Sequence, residues 1–239
     1  MKPHFITFIV LSCIVTSCAQ TRYIAQDANI PEINDILLFE PYTEIGLISH
    51  GDDIELIDSL AETAKNKLTS FLCINSNITR VTEYANDTLA NQYLLNFFKQ
   101  VERTPKNTLN TLQIPTVYDS ILTANNKRYG MLVCAYGFSR TKQNRISQNA
   151  KAIGIGVATA ILTLGMGYVA IYPENSKSHI DIVIIDAEND NVIFQNISDR
   201  ESEPLEDVKV CDQLADIFRG FAPNEQTLFL PRKIETFQE

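Results

Sequence analysis

What limits the folding of this chain most is a stretch without charge. From Ile153 to Tyr172, within NAKAIGIGVATAILTLGMGYVAIYPEN (149–175), twenty consecutive residues include no Asp, Glu, Lys or Arg. Such a run has to leave water, in a bilayer, a core or an interface. At about 1.5 Å per helical residue it just covers a hydrocarbon core of roughly 30 Å, so length permits a span. Composition opposes one, because four Gly, two Thr and two Tyr dilute eight Ile, Leu and Val. Small residues four apart, Gly154 with Ala158, Gly156 with Ala160 and Thr163 with Gly167, let a helix approach another backbone closely. Large and small residues also alternate at Ile153 to Ala158 and at Leu164 to Gly167, which suits β structure. Three placements stay open: a buried helix or helical hairpin on a sheet, an oligomer or membrane-surface contact, and a span. The Gly154-Ile155-Gly156 triplet does not complete a dinucleotide fingerprint. Position 159 is Thr, and the preceding SRTKQNRISQNAK is no apolar strand.

The N-terminus sets the address. MKPHFITFIVLSCIVTSCAQ has one cation, Lys2, then an apolar stretch from Phe5 to Val15, as a secretory leader does. Ile14-Val15-Thr16-Ser17-Cys18 resembles the lipobox of bacterial lipoproteins, in which the cysteine is lipidated and becomes the new N-terminus. Val10-Leu11-Ser12-Cys13 also fits, but cutting there leaves an apolar core at the short end of the usual range. Lipidation is therefore expected at Cys18, with residues 1–17 removed and 18–34 a lipidated tether. A membrane attachment through that lipid follows, since each buried methylene adds about 0.8 kcal/mol. No Asp follows Cys18 and no acidic run does, so the expected location is the cell envelope, as an outer-membrane lipoprotein facing the periplasm. A span at 153–172 would then strand Arg140, Lys142, Arg145 and Lys151 on the outer side of an inner membrane, against the positive-inside tendency.

The whole chain has a formal net charge of −9, and losing Lys2 makes the mature protein more acidic still. Nucleic acid is thus not an expected partner. Among the mature cysteines, Cys73, Cys134 and Cys211 have neither CxxC nor zinc spacing, and buried thiols or a Cys73 to Cys211 disulfide remain alternatives. His50 and His179 stand far apart, no Ser lies in a G-x-S-x-G setting, and MLVCAYGF predicts burial for Cys134 rather than a reactive thiolate. No catalytic residue, metal site or cofactor is expected. Asp181 and Asp186 are an odd number of residues apart, so a regular strand puts them on opposite faces, and Asp186 is expected to shape a turn. Asp58-Ser59-Leu60, Asp87-Thr88-Leu89 and Asp119-Ser120-Ile121 match a short O-glycan acceptor pattern.

Periodicity supplies the elements. DILLFEPY reads as a buried strand ended by a proline, with order beginning at Asp35. Ile57, Leu60, Ala61, Ala64, Leu68, Phe71 and Leu72 share one helical face, with a start near Asp52 or Asp53. NITRVTEY reads as a strand. NDTLANQYLLNFFKQVER reads as a helix with Leu89, Tyr93, Leu94, Phe97, Phe98 and Val101 inward, and TVYDSILTA as a shorter one. RYGMLVCAYGFSR gives a third strand, SHIDIVIIDA and NVIFQNI two more around Glu188 to Asn191. The closing helix presents Val208, Cys211, Leu214, Ala215 and Phe218, with Gly220 as a stop. The order βαβα(α)β, insertion, ββα predicts an α/β (α+β) fold, a mixed sheet with helices packed on it. It is expected as a single domain over 35–222, with a basic loop and apolar insertion at 139–176 and a tail at 223–239.

Ile184-Ile185-Asp186-Ala187-Glu188-Asn189-Asp190-Asn191-Val192-Ile193-Phe194 resembles a hairpin of periplasmic lipoproteins related to the curli-secretion protein CsgG. Ile36 to Pro41 and YGMLVCAYG occupy matching places in that group, and Asn191 and Phe194 replace its turn glycine and its tryptophan. The resemblance implies an assembly role without an active site, with other envelope proteins or a second copy of the chain as partner. The expected points of contact with membrane or partner are Arg140, Lys142, Arg145, Lys151, Gly154, Gly156, Gly165 and Gly167. A periplasmic small-ligand or glycan-binding module is the alternative, in which the many Tyr and Phe would line a deep pocket.

Overall fold

A computed structural model of the chain describes residues 22–25, 33, 35–73, 78–80, 88–147, 174–219 and 221. Its organising element is β6 (Tyr129–Arg140), a strand of 12 residues. The flanking elements before it are β1 (Tyr23–Ile24), β2 (Ile36–Leu38), β3 (Tyr42–Ile48), β4 (Glu55–Leu56), α1 (Asp58–Cys73), β5 (Ile78–Arg80), α2 (Thr88–Arg103), a 3-10 helix (Lys106–Thr111) and α3 (Thr116–Ala124). After it come β7 (Ser176–Asp186), β8 (Asn191–Arg200) and α4 (Asp207–Phe218). The eight strands form one mixed sheet, ordered β1-β8-β7-β6-β2-β5, with β3 beside β6 and β4 beside β3. β6 runs parallel to β2 at its start and to β3 further on, and antiparallel to β7 along almost its whole length.

This pairing explains why β6 and β7 read as nearly continuous apolar runs: helices cover both faces. Met131, Val133, Ile182, Ile184 and Phe194 face one way and meet Leu68 and Leu72 of α1 with Val210, Leu214, Ile217 and Phe218 of α4. Leu37, Phe39, Leu132, Val183, Ile185 and Val192 face the other way. They meet Leu94, Phe97, Phe98 and Val101 of α2, Leu109 of the 3-10 helix, and Tyr118 and Leu122 of α3. Each fully buried side chain of this kind contributes about 1.5–3 kcal/mol. The mixed sheet with helices packed on it agrees with the expected fold class.

Several details differ from the expectation. Residues 18–34 are not all tether, because Tyr23 and Ile24 pair with Gln195 and Phe194 of β8 and the Ala25 amide donates to Ile193 O at 2.9 Å. Two residues give no periodicity; only the pairing makes them a strand. The first helix starts at Asp58, not near Asp52 or Asp53, because Glu55 and Leu56 pair with β3 and the Ile57 amide donates to Ile45 O at 3.0 Å. β3 itself was not foreseen. Tyr93 on α2 is half exposed, not inward. On α4 the buried stripe is Val210, Gln213, Leu214, Ile217 and Phe218, and Val208 is exposed. A polar Gln213 in the middle hid that stripe. It belongs inside because its amide bridges Ser178 and Ser198 on the sheet. Gly220 lies outside the described residues.

Gly137 shows how tightly β6 and β7 fit. A Cβ there would sit 2.2 Å from the carbonyl oxygen of Lys177, which is backbone and cannot swing aside. Gly137→Ala is expected to lower stability by about 1–3 kcal/mol, read as a lower urea midpoint. An unchanged midpoint would contradict this register.

Candidate functional site

The residues expected to meet membrane or partner fall into two groups. Cys18, Lys151, Gly154, Gly156, Gly165 and Gly167 lie outside the described residues, as does the run 153–172. Arg140 closes β6 and is 7% exposed. Its Nε donates to Glu174 O at 2.7 Å, one terminal nitrogen to Gly51 O at 3.1 Å and Asn144 Oδ1 at 3.0 Å, and the other to Asp52 Oδ1 at 2.9 Å. Every arm of the guanidinium is occupied, so Arg140 is a clamp between β6 and the β3–β4 loop, not a cation offered to a surface. Lys142 and Arg145 sit on a helical turn over 142–147. Lys142 is exposed, and Arg145 stands 3.7 Å from Glu203.

The two aspartates of β7 have opposite electrostatics. Burial pushes the Asp186 carboxyl up, but bonds from Arg128, from Asn189 and from the Glu188 amide outweigh it, so it ionises below the ordinary carboxylate range. Arg128 reaches it with Nε at 2.9 Å and a terminal nitrogen at 2.7 Å. As expected, Asp186 shapes the turn to β8, where Asp190 takes φ 48° and accepts the Ile114 amide at 3.0 Å. Asp181 is 2% exposed, and burial raises its carboxyl to about 7. Gln195 Nε2 donates to Asp181 Oδ1 at 3.0 Å, while Asp181 Oδ2 and Gln195 Oε1 have no partner among the described residues. Two bare acceptors side by side are costly when buried. Protonation turns one of these acceptors into a donor and removes the charge. Lys106 and Glu102 act on Asp181 through space with opposite signs.

His179 lies one step along the same face, stacked on Tyr136 with ring centroids 4.0 Å apart. Burial lowers its basicity against the pull of Asp199, and neither ring nitrogen has a hydrogen-bond partner among the described residues. Cys134, opposite Asp181 in the register, has its thiol pushed up to about 12 by burial. A thiol that stays protonated at neutral pH is no nucleophile. Cys211 carries a free thiol, so the Cys73 to Cys211 disulfide is not formed. The large aromatics are committed to packing: Phe39 and Phe97 meet Tyr118, and Phe194, Phe218 and Phe221 form a second cluster. No group of three or more His, Cys, Asp or Glu among the described residues is arranged to hold a metal, and no described helix is long and apolar enough to cross a membrane.

Beyond α2 and α3 no described helix packs on this face, and it is partly exposed. Register places Glu44, Tyr136, His179 and Asp199 in one cross-strand row, and Leu56, Gly46, Phe138 and Lys177 in the next. Tyr136 is 42% exposed, Ile54 53% and Leu56 59%. Sequence reasoning missed this surface because β3 and β4 were not recognised.

Comparison with known proteins places little beside this geometry. No family model matches the chain, and no curated protein does. The C-terminal domain of LpoB from Salmonella enterica is 12% identical, covering 71% of this chain and 84% of its own, with a TM-score of 0.30. The corresponding LpoB domain from Escherichia coli is 11% identical over 80% and 93%, with a TM-score of 0.29. Lipoprotein GNA1162 from Neisseria meningitidis is 8% identical over 79% and 99%, with a TM-score of 0.33. Likenesses of this depth assign neither family nor function.

The Asp181 pair yields a pH test. Its folded pKa lies above the unfolded value of about 3.9, so its proton stabilises the fold below that value, and the stability is lost as pH rises toward about 7. Asp181→Asn supplies a permanent donor to Gln195. It is expected to raise the unfolding free energy at pH 8 by on the order of 1–3 kcal/mol, read as a higher urea midpoint, and to change it little at pH 4.5. Equal destabilisation at both pH values would show that the carboxylate is needed in its charged form.

Proposed function

We propose that the chain is a lipid-anchored protein of the bacterial cell envelope, held at the outer membrane on its periplasmic side, with a scaffolding or assembly role. The observation that carries the role is the β3–β4 end of the sheet, where Ile54, Leu56 and Tyr136 stand exposed near Asp53, Glu55 and Asp58, exposed acids that make no ion pair among the described residues. The titratable groups that suggested chemistry point the same way. Asp186 is spent on Arg128 and a turn, Asp181 on Gln195, and Cys134 on the core. The lipobox ending at Cys18 supports the anchor. Lys142, Arg145, Lys151 and the glycines at 154, 156, 165 and 167 remain the proposed contacts with lipid or partner, without Arg140. A place among lipoproteins related to CsgG is supported by the hairpin from Ile184 to Phe194. Asp190 takes the left-handed conformation there, next to the asparagine that stands for that group's turn glycine.

Cys18→Ser is expected to abolish incorporation of labelled palmitate in a diderm bacterial host and to release the chain from the membrane fraction. The wild-type chain should be recovered with the outer membrane. Labelling that survives the substitution would move the anchor to Cys13, and a wild-type chain that takes up no label would remove it.

A further inference from the structure

β4 is an open edge. Among the described strands Glu55–Leu56 pairs with β3 alone. Ile57 turns its amide inward to Ile45 O at 3.0 Å, and in an antiparallel pair alternate residues turn their backbone groups away from the partner. The N–H and C=O of Ile54 and Leu56 therefore point outward. Exposed edges are commonly blunted by Lys, Pro or a bulge, yet here the two residues that offer their backbone also offer exposed Ile and Leu side chains. The Ile54 side chain lies over Gly46, where a Cβ would come within 2.2 Å of its Cγ2. Gly46 thus fixes the placement of Ile54 beside the row that carries Leu56 and Phe138.

We propose that this edge receives an extended segment of a partner protein as an added strand, with branched apolar residues at alternate positions and Lys or Arg between them. Main-chain groups of Ile54 and Leu56 supply the ladder, and the apolar positions extend the surface of Ile54, Leu56 and Phe138. Charge selects the partner. Asp53, Glu55 and Asp58 are exposed and make no ion pair among the described residues, in a chain of net charge −9. A second copy pairing through β4 would bring these acids against their own equivalents, and like charges opposite each other destabilise a strand pair. A basic, apolar strand meets both demands. The inference deepens the assembly reading and rests on it for its biological sense. Its test needs no lipid, so failure here leaves the Cys18 and membrane-fraction results standing.

The test uses the whole mature chain from Ala19, unlipidated, and fluorescent ten-residue peptides read by anisotropy. One alternates Val and Lys, one alternates Val and Glu, and one has the Val/Lys composition in blocks. The alternating Val/Lys peptide is expected to bind at least about tenfold more tightly than either control. Leu56→Pro removes an outward N–H at an edge position that tolerates proline and should weaken binding by a similar factor. Ile54→Ser with Leu56→Ser, which keeps the β4 backbone, should do the same if the proline disturbs folding. Glu55→Lys should shift preference toward the Val/Glu peptide. Equal binding of all three peptides, binding of none, or affinity unmoved in the folded variants would overturn the proposal. So would a concentration-dependent dimer that the serine variant dissolves, since the edge would then belong to a second copy.

Discussion

Almost every other element takes its place from the two-sided burial of β6. This strand has a neighbour on each edge and helices on each face, so its residues have to satisfy two cores at once. Leu132 and Val133 point into different helical layers, and both are fully buried. One sheet with a layer on either side is the only way the chain has of burying α1 with α4 and α2 with α3 through the same twelve residues. β2 and β3 follow as one interrupted path along β6, broken at Phe39–Pro41, and the Arg140 clamp fixes where that path may turn back.

Polar groups on the sheet show a consistent pattern. Where the helical layers end, the inward residues change from Val and Ile to Asp181, Gln195, His179 and Ser178: Gln195 donates to Asp181 across strands, Ser178 donates to Gln213 of α4, and His179 stacks on Tyr136. Burial raises the Asp181 carboxyl beside Gln195 to about 7, so its proton is held far above the ordinary carboxylate range. Arg128 and Asp186 manage the opposite case, with charge retained at the rim where it can be paired. Neither arrangement leaves a reacting group at a cleft, which is why the surface and not the interior carries the functional reading.

Long, strongly patterned elements were legible from residues alone: α2, α3, β6, β7 and β8 fall where period and turn chemistry put them, and α1 does so apart from its start. What escaped was short or locally contradictory. β1 is two residues. β3 alternates Tyr42, Glu44 and Gly46 along a face that is largely uncovered, so no apolar period marks it. β4 continued the acidic, apolar pattern of a helix start and was absorbed into α1. The stripe on α4 was read one position out because its centre is Gln213, a residue whose place depends on Ser178 and Ser198 some distance away in sequence. The docking edge was illegible for the same reason as β4, since an edge exists only once the partners of its neighbours are known.

The pairing of Tyr23 and Ile24 with β8 also changes the range over which the protein can work. A lipid on Cys18 followed by free chain up to Asp35 would allow roughly 58 Å of reach at about 3.4 Å per residue. With Tyr23 fastened to the sheet, the five steps from the proposed lipid on Cys18 could reach at most roughly 17 Å, little more than the depth of a headgroup layer and its hydration. On the proposed anchor the β8 side would lie nearest the lipid, and the β4 edge, four strands away from β8, would lie on the far side of the sheet, where a partner could approach it.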